Sequence, residues 1–157
     1  MIFVFVSLFA LSTMFPIATA GAFSQSSAVG GGTFVMQHDN ELHKHFFGFS
    51  VRGTSNPTGT FHLICMHDNE LCMIIQSIKI LSFQINEVQG GLSATFMGTA
   101  RVMMQNQGWT NGWIFTVTVS DFGPKGVGND YIVFEISNSE VHHMEGTLTA
   151  GNIVILN

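Results

Sequence analysis

Two short stretches concentrate the side chains able to do chemistry in this sequence. His38-Asp39-Asn40-Glu41-Leu42 recurs unchanged as His67-Asp68-Asn69-Glu70-Leu71, and His43 and His45 follow the first copy. Imidazole and carboxylate groups converging on one place would bind Zn²⁺ or Cu²⁺, whose affinity for such donors is high. The candidate metal ligands are His38, Asp39, His43, His45, His67 and Asp68, with Glu41 and Glu70 beside them. Their spacing matches no recognised metal motif. Asp and Asn also hold tight turns by bonding to nearby backbone, so turn chemistry without any cofactor is the plainer reading of the repeat. The histidines would make the region sensitive to mild acid, since their charge changes near about pH 6.5.

The two cysteines, Cys65 and Cys72, flank the second copy of the repeat. If His67 to Glu70 form a four-residue loop, Met66 faces Leu71 and Cys65 faces Cys72. A non-hydrogen-bonded antiparallel pair brings Cα atoms to about 4.5 Å, within the range a disulfide bridges. The spacing therefore predicts a Cys65–Cys72 disulfide, with two buried free thiols as the alternative. A redox-active pair is disfavoured because the spacing is not C-x-x-C.

Other chemistry is thinner. There is no Gly-x-Ser-x-Gly elbow and no Ser-His-Asp ordering of hydrolase type, so no catalytic residue is assigned. Asp121 to Asp130 form a Gly-rich loop with an acid at each end, too poor in oxygens for Ca²⁺ and without the Lys-Ser/Thr ending of a phosphate loop. It reads as a structural turn. Trp109 and Trp113 would serve as a sugar-stacking platform, but core packing for Trp113 and a hairpin cap for Trp109 account for them more simply.

The elements that must position these groups follow from composition and pattern. The chain has 157 residues, enough for one domain, and its 46 % hydrophobic content is enough to bury a core rather than remain disordered. Five Lys plus Arg against ten Asp plus Glu leave a net charge of −5, which excludes sequence-independent nucleic-acid binding. Residues 1–23 carry no charged side chain, and an apolar run ending in Ala18-Thr19-Ala20 predicts a signal peptide over 1–20, cut before Gly21. An uncleaved membrane anchor is the alternative, disfavoured by Pro16 and the small polar residues. Residues 21–32, rich in Gly and Ser, read as a flexible leader, and 33–157 as a single β-domain.

From Thr33 onward apolar residues alternate with period two. Leu92, Ala94, Phe96, Gly98, Ala100 and Val102 share one face, as do Trp113, Phe115, Val117 and Val119. Turn signals at Asn56-Pro57, Gln89-Gly90-Gly91, Asn111-Gly112, Gly123-Pro124 and Ala150-Gly151-Asn152 divide the chain into about ten strands, among them 71–77, 79–86, 92–104 and 113–120. Evenly spaced short strands predict an all-β antiparallel barrel or sandwich with largely meander connections and about 8–10 strands. In a meander both copies of the repeat fall at the same end, with His142 and His143 nearby.

Several fragments in order carry a resemblance. They are Gly30-Gly31-Gly32-Thr33, Phe47-Gly48-Phe49-Ser50-Val51, Pro57-Thr58-Gly59-Thr60-Phe61, Ala94 to Ala100, Phe115 to Gly123, Gly128-Asn129-Asp130-Tyr131 and Gly146 to Ile153. Together they resemble the post-COAP domain family, small exported microbial modules that often follow a choice-of-anchor region. The resemblance implies a secreted or surface β-domain with no established activity and transfers no catalytic residues. His38 to His45 and Cys65 to Cys72 depart from it.

Three functions are thus expected, in order. The first is a non-catalytic secreted or cell-surface domain acting in structure, adhesion or binding. The second is a barrel carrying a small apolar ligand among its Phe and Met side chains. The third is a metal-binding protein using the His/Asp/Glu rim. The partner would be a protein, a cell surface or a small molecule, and a membrane only through an uncleaved signal segment.

Overall fold

The period-two pattern is realised as nine strands with no helix among the described residues. They are β1 (Ser27–His38), β2 (Glu41–Arg52), β3 (Thr58–His67), β4 (Glu70–Val88), β5 (Gly91–Met104), β6 (Trp109–Asp121), β7 (Tyr131–Ser137), β8 (Val141–Thr147) and β9 (Ala150–Leu156). The structure, a computed structural model, describes residues 25–38 and 40–157. The expected signal segment 1–20, its cut before Gly21 and the candidate ligand Asp39 lie outside the described residues.

All strands belong to one antiparallel sheet, in the order β8-β7-β6-β5-β4-β3-β2-β1-β9. It is a meander, as the short connectors require, except that β9 crosses from the β8 edge to pair with β1. The sheet curls into a barrel-like shell, and among the described residues there is no second sheet to make a sandwich. The two edges meet at the crossover, where the Thr149 N–H donates to the Thr33 carbonyl at 2.7 Å. Gly146 of β8 faces Phe34 of β1 so closely that a Cβ there would lie 2.9 Å from the ring.

Inward residues fill the shell with rings. Phe34, Phe61, Phe96, Phe115 and Phe134 are fully buried. Phe61 lies at the centre, its centroid 5.2 Å from Phe134, 5.4 Å from Phe115 and 5.9 Å from Phe96. Each such ring removes some 150–250 Å² from water, the dominant stabilising contribution in a shell with no helix to cover it.

Two carboxylates finish the seam. Asp130, fully buried, accepts from the Phe122 N–H at 3.2 Å and the Ile153 N–H at 2.8 Å. Asp121 accepts from the Gly123 N–H at 3.0 Å and the Ile155 N–H at 3.1 Å. Ile153 and Ile155 belong to β9, whose free edge is thus satisfied by side chains where no further strand pairs among the described residues. The loop between the two acids is the structural turn expected from sequence, and its carboxylates hold backbone.

Four local expectations are corrected. Ser27–Gly32, read as flexible leader, is strand paired with both β2 and β9. Its glycines are spacers, since a Cβ on Gly30 would lie 2.8 Å from the Phe49 ring. The strands expected at 71–77 and 79–86 are one continuous β4, with bulges that leave Ile78 and Leu81 unpaired and exposed. Asn111-Gly112 is not a hairpin corner but a bulge opposite Arg101 within β6, Gly112 supplying the positive φ of 87°. The chain reverses instead between Met104 and Trp109, with Asn106 at φ 59°. Ala150–Asn152, expected as a turn, opens β9.

Candidate functional site

Both copies of the repeated pentapeptide build the same two-residue hairpin corner. His38 pairs with Glu41 around residues 39–40, and His67 pairs with Glu70 around Asp68-Asn69. Asn40, Asp68 and Asn69 adopt positive φ of 66°, 48° and 64°, a conformation that short polar side chains tolerate best. The repeat is therefore turn chemistry, and it has a consequence. Because both corners cap the same end of the meander, the histidine that opens each copy is delivered to one mouth of the shell.

Strand alternation sets the rest of the site. On the inner face of β2 and β3, moving outward from the core, Phe47 lies opposite Leu63, His45 opposite Cys65, and His43 opposite His67. The His43 and His67 rings stack at 4.8 Å, and His38 meets His43 edge-on at 6.0 Å. At the rim Glu41 Oε2 lies 3.1 Å from His67 Nε2, with the exposed Asp68 carboxylate 3.7 Å away.

The cysteines are free, which overturns the expected disulfide. The hairpin places Met66 opposite Leu71 as anticipated, but a bulge follows, so that Cys65 pairs with Met73 and Cys72 is the extra residue. A bulge turns two successive side chains toward one face. Cys72 and Met73 therefore both point inward, and the Cys72 sulfur comes close to Cys65 without the facing-pair geometry a bond requires.

Cys65 Sγ lies 3.6 Å from His43 Nδ1. One ligand atom from each of His43, Cys65 and Cys72 falls within 4.8 Å of the other two, and the same holds for Glu41, His43 and His67. His43 belongs to both groups. Burial, and secondarily the neighbouring Cys72, pushes the Cys65 thiol up to about 12.

His45 sits deeper, 1 % exposed and stacked on Phe34 at 4.6 Å. Burial foremost, then the adjacent His43 ring, holds its imidazole down at about 4, against a smaller opposite pull from the His43 backbone. Its Nδ1 is buried and has no hydrogen-bond partner among the described residues. An orphaned polar atom of this kind is uncommon in a folded protein.

His38, His43, His45, Cys65 and Cys72 line a cavity of about 330 Å³. Among the described residues no Asp, Glu, Lys or Arg lines it. His142 and His143 border it from β8, the His143 ring lying 3.3 Å from Glu135 and 3.6 Å from Glu145. Sequence reasoning missed Met36, Met73, Met104 and Met144, which line the same cavity. Methionine reads as core filler; the one available signal was that Met36 and His38 share a strand face. Trp113 packs on the core as expected, whereas Trp109 stacks under Arg101 at 4.5 Å, and the Asn111-Gly112 hairpin it was expected to cap is a bulge. Comparison of the chain with protein-family models, curated proteins and solved structures finds no match.

Proposed function

We propose that the chain is a non-catalytic β-module of the cell exterior, similar to post-COAP domains, whose open mouth binds one transition-metal ion of the zinc or copper type. The observation that carries this reading is the convergence of His43, Cys65 and Cys72 ligand atoms within 4.8 Å of one another. Ligands held about 2.0–2.3 Å from a tetrahedral ion stand about 3.5 Å apart, so side-chain rotation of about an ångström closes the set. The orphaned Nδ1 of His45, in the same cavity lining, is a candidate fourth ligand. Export rests on the apolar segment ending at Ala20. In an oxidising compartment the bulge would keep both thiols near enough to share an ion yet unpaired with each other.

Carriage of an apolar ligand is less well supported, because the interior such a ligand would occupy is filled by the Phe61 ring cluster. The test is elemental analysis and calorimetric titration of the reduced protein with Zn²⁺. One ion per chain is expected, lost in Cys65→Ser/Cys72→Ser and weakened by His43→Ala. Failure to retain any ion, or retention unaffected by these substitutions, refutes the proposal.

A further inference from the structure

We infer that the mouth selects monovalent copper, Cu(I), over zinc, through the thioether wall that surrounds the two thiols. This rests on the proposed metal-binding reading and adds the identity of the ion. Met36, Met73, Met104 and Met144 all line the cavity that holds Cys65 and Cys72. Apart from Val141 the lining is His, Cys and Met, so its side-chain donors are nitrogen and sulfur throughout.

Zinc takes thiolate, imidazole and carboxylate, and thioether sulfur is not among its usual ligands. Four methionines give it nothing. Thioether and thiolate together are the soft set that selects Cu(I), whereas the hard oxygen donors that would favour other ions are missing from the described lining. Among the described residues, Glu41 and Asp68 stand at the rim beside His67, and Glu135 and Glu145 meet the His143 ring; none of the four lines the cavity.

Charge points the same way. An ion entering this apolar mouth is best matched by ligands that leave no net charge buried. Zinc needs two thiolates for that. Cu(I) needs one thiolate; imidazole and thioether bind as neutral groups and release no proton. Position supports the thioether share, because Met73 pairs with Cys65 on β3 and with Met104 on β5, forming one inward row with the thiols.

The experiment uses reduced full-length protein under anaerobic conditions, with Cu(I) delivered from a chromogenic Cu(I) chelator and Zn²⁺ from a zinc indicator. Met73→Leu/Met104→Leu, close in volume to the original pair, is expected to weaken Cu(I) at least about tenfold, or 1.4 kcal/mol, while leaving Zn²⁺ affinity unchanged. Equal Cu(I) affinity in that variant, or zinc displacing copper from the unsubstituted protein, overturns the inference but leaves the metal site standing. If neither ion binds, the underlying site itself fails. Copper K-edge absorption gives a readout independent of affinity. Cu(I)-loaded Met73→Leu/Met104→Leu is expected to show fewer sulfur neighbours than the loaded unsubstituted protein, and an unchanged sulfur count contradicts the assignment.

Discussion

Replacing Asp130 by Ala tests the logic of the seam. This carboxylate is fully buried and receives two backbone N–H groups, from Phe122 at 3.2 Å and from Ile153 at 2.8 Å. Hydrogen bonds to a charged group contribute about 1.5–3 kcal/mol each, and the substitution also strands two donors where water reaches them poorly. The shorter bond, to the buried Ile153 N–H, should dominate, and the two together give a loss of about 3–5 kcal/mol. Against the usual total of about 5–15 kcal/mol, the variant should still fold, with a far lower denaturation midpoint. Asp121→Ala, whose partners are only partly buried, should cost about 1–2 kcal/mol. Urea unfolding followed by tryptophan fluorescence measures both, at unchanged m-value. A loss under about 1 kcal/mol for Asp130→Ala would mean that β9 does not depend on side-chain acceptors, and the closure argument would fall.

Three further outcomes are expected. Metal-free protein should lose stability as pH falls from 6.5 to about 4, because His45 stays neutral when folded but protonates when unfolded. The loss is about 3 kcal/mol at its fullest, complete below the lower value and absent above the upper. Since His43 beside it, Phe34 from β1 and Cys65 from β3 pack around this ring, His45→Phe should flatten that part of the chelator-treated pH–stability curve; an unchanged slope refutes the assignment. Alkylation followed by peptide mapping should label Cys72 well before Cys65, whose buried thiol resists ionisation; faster reaction at Cys65, or an oxidised pair, contradicts the bulge. Ile78→Lys and Leu81→Lys should each change stability by less than about 0.5 kcal/mol, since the bulges turn both residues to solvent; a large loss at either would mean the register of β4 is wrong.

Alternation made the sheet readable. Ala94, Phe96, Ala100 and Val102 fall on the buried face as their spacing demands, and so do Phe115, Val117 and Val119. What hid from sequence were the departures from period two. Ile78, Leu81 and Cys72 are extra residues whose own chemistry gives no sign that they sit outside the register. A single slip of this kind reverses which side chains face inward, and it decides whether the two thiols bond or sit side by side. Glycine was ambiguous in the same way: at Gly30 and Gly32 it makes room for Phe49 and β9, although the composition suggested flexibility. At the mouth, the histidines were legible because an identical repeat on alternate hairpins must bring them together. The methionines were not, since nothing distinguishes a thioether filling a core from one facing a ligand except what lies across the cavity.

The central claim is that the hairpin mouth holds a metal ion between His43, Cys65 and Cys72. A crystal of the reduced protein soaked in Cu(I), with anomalous difference maps collected across the copper edge, examines it most directly. The account predicts one strong peak in the cavity, within about 2.0–2.4 Å of these three ligand atoms. A mouth with no anomalous peak, or copper bound only at the outer Glu41–His67 rim, would contradict it.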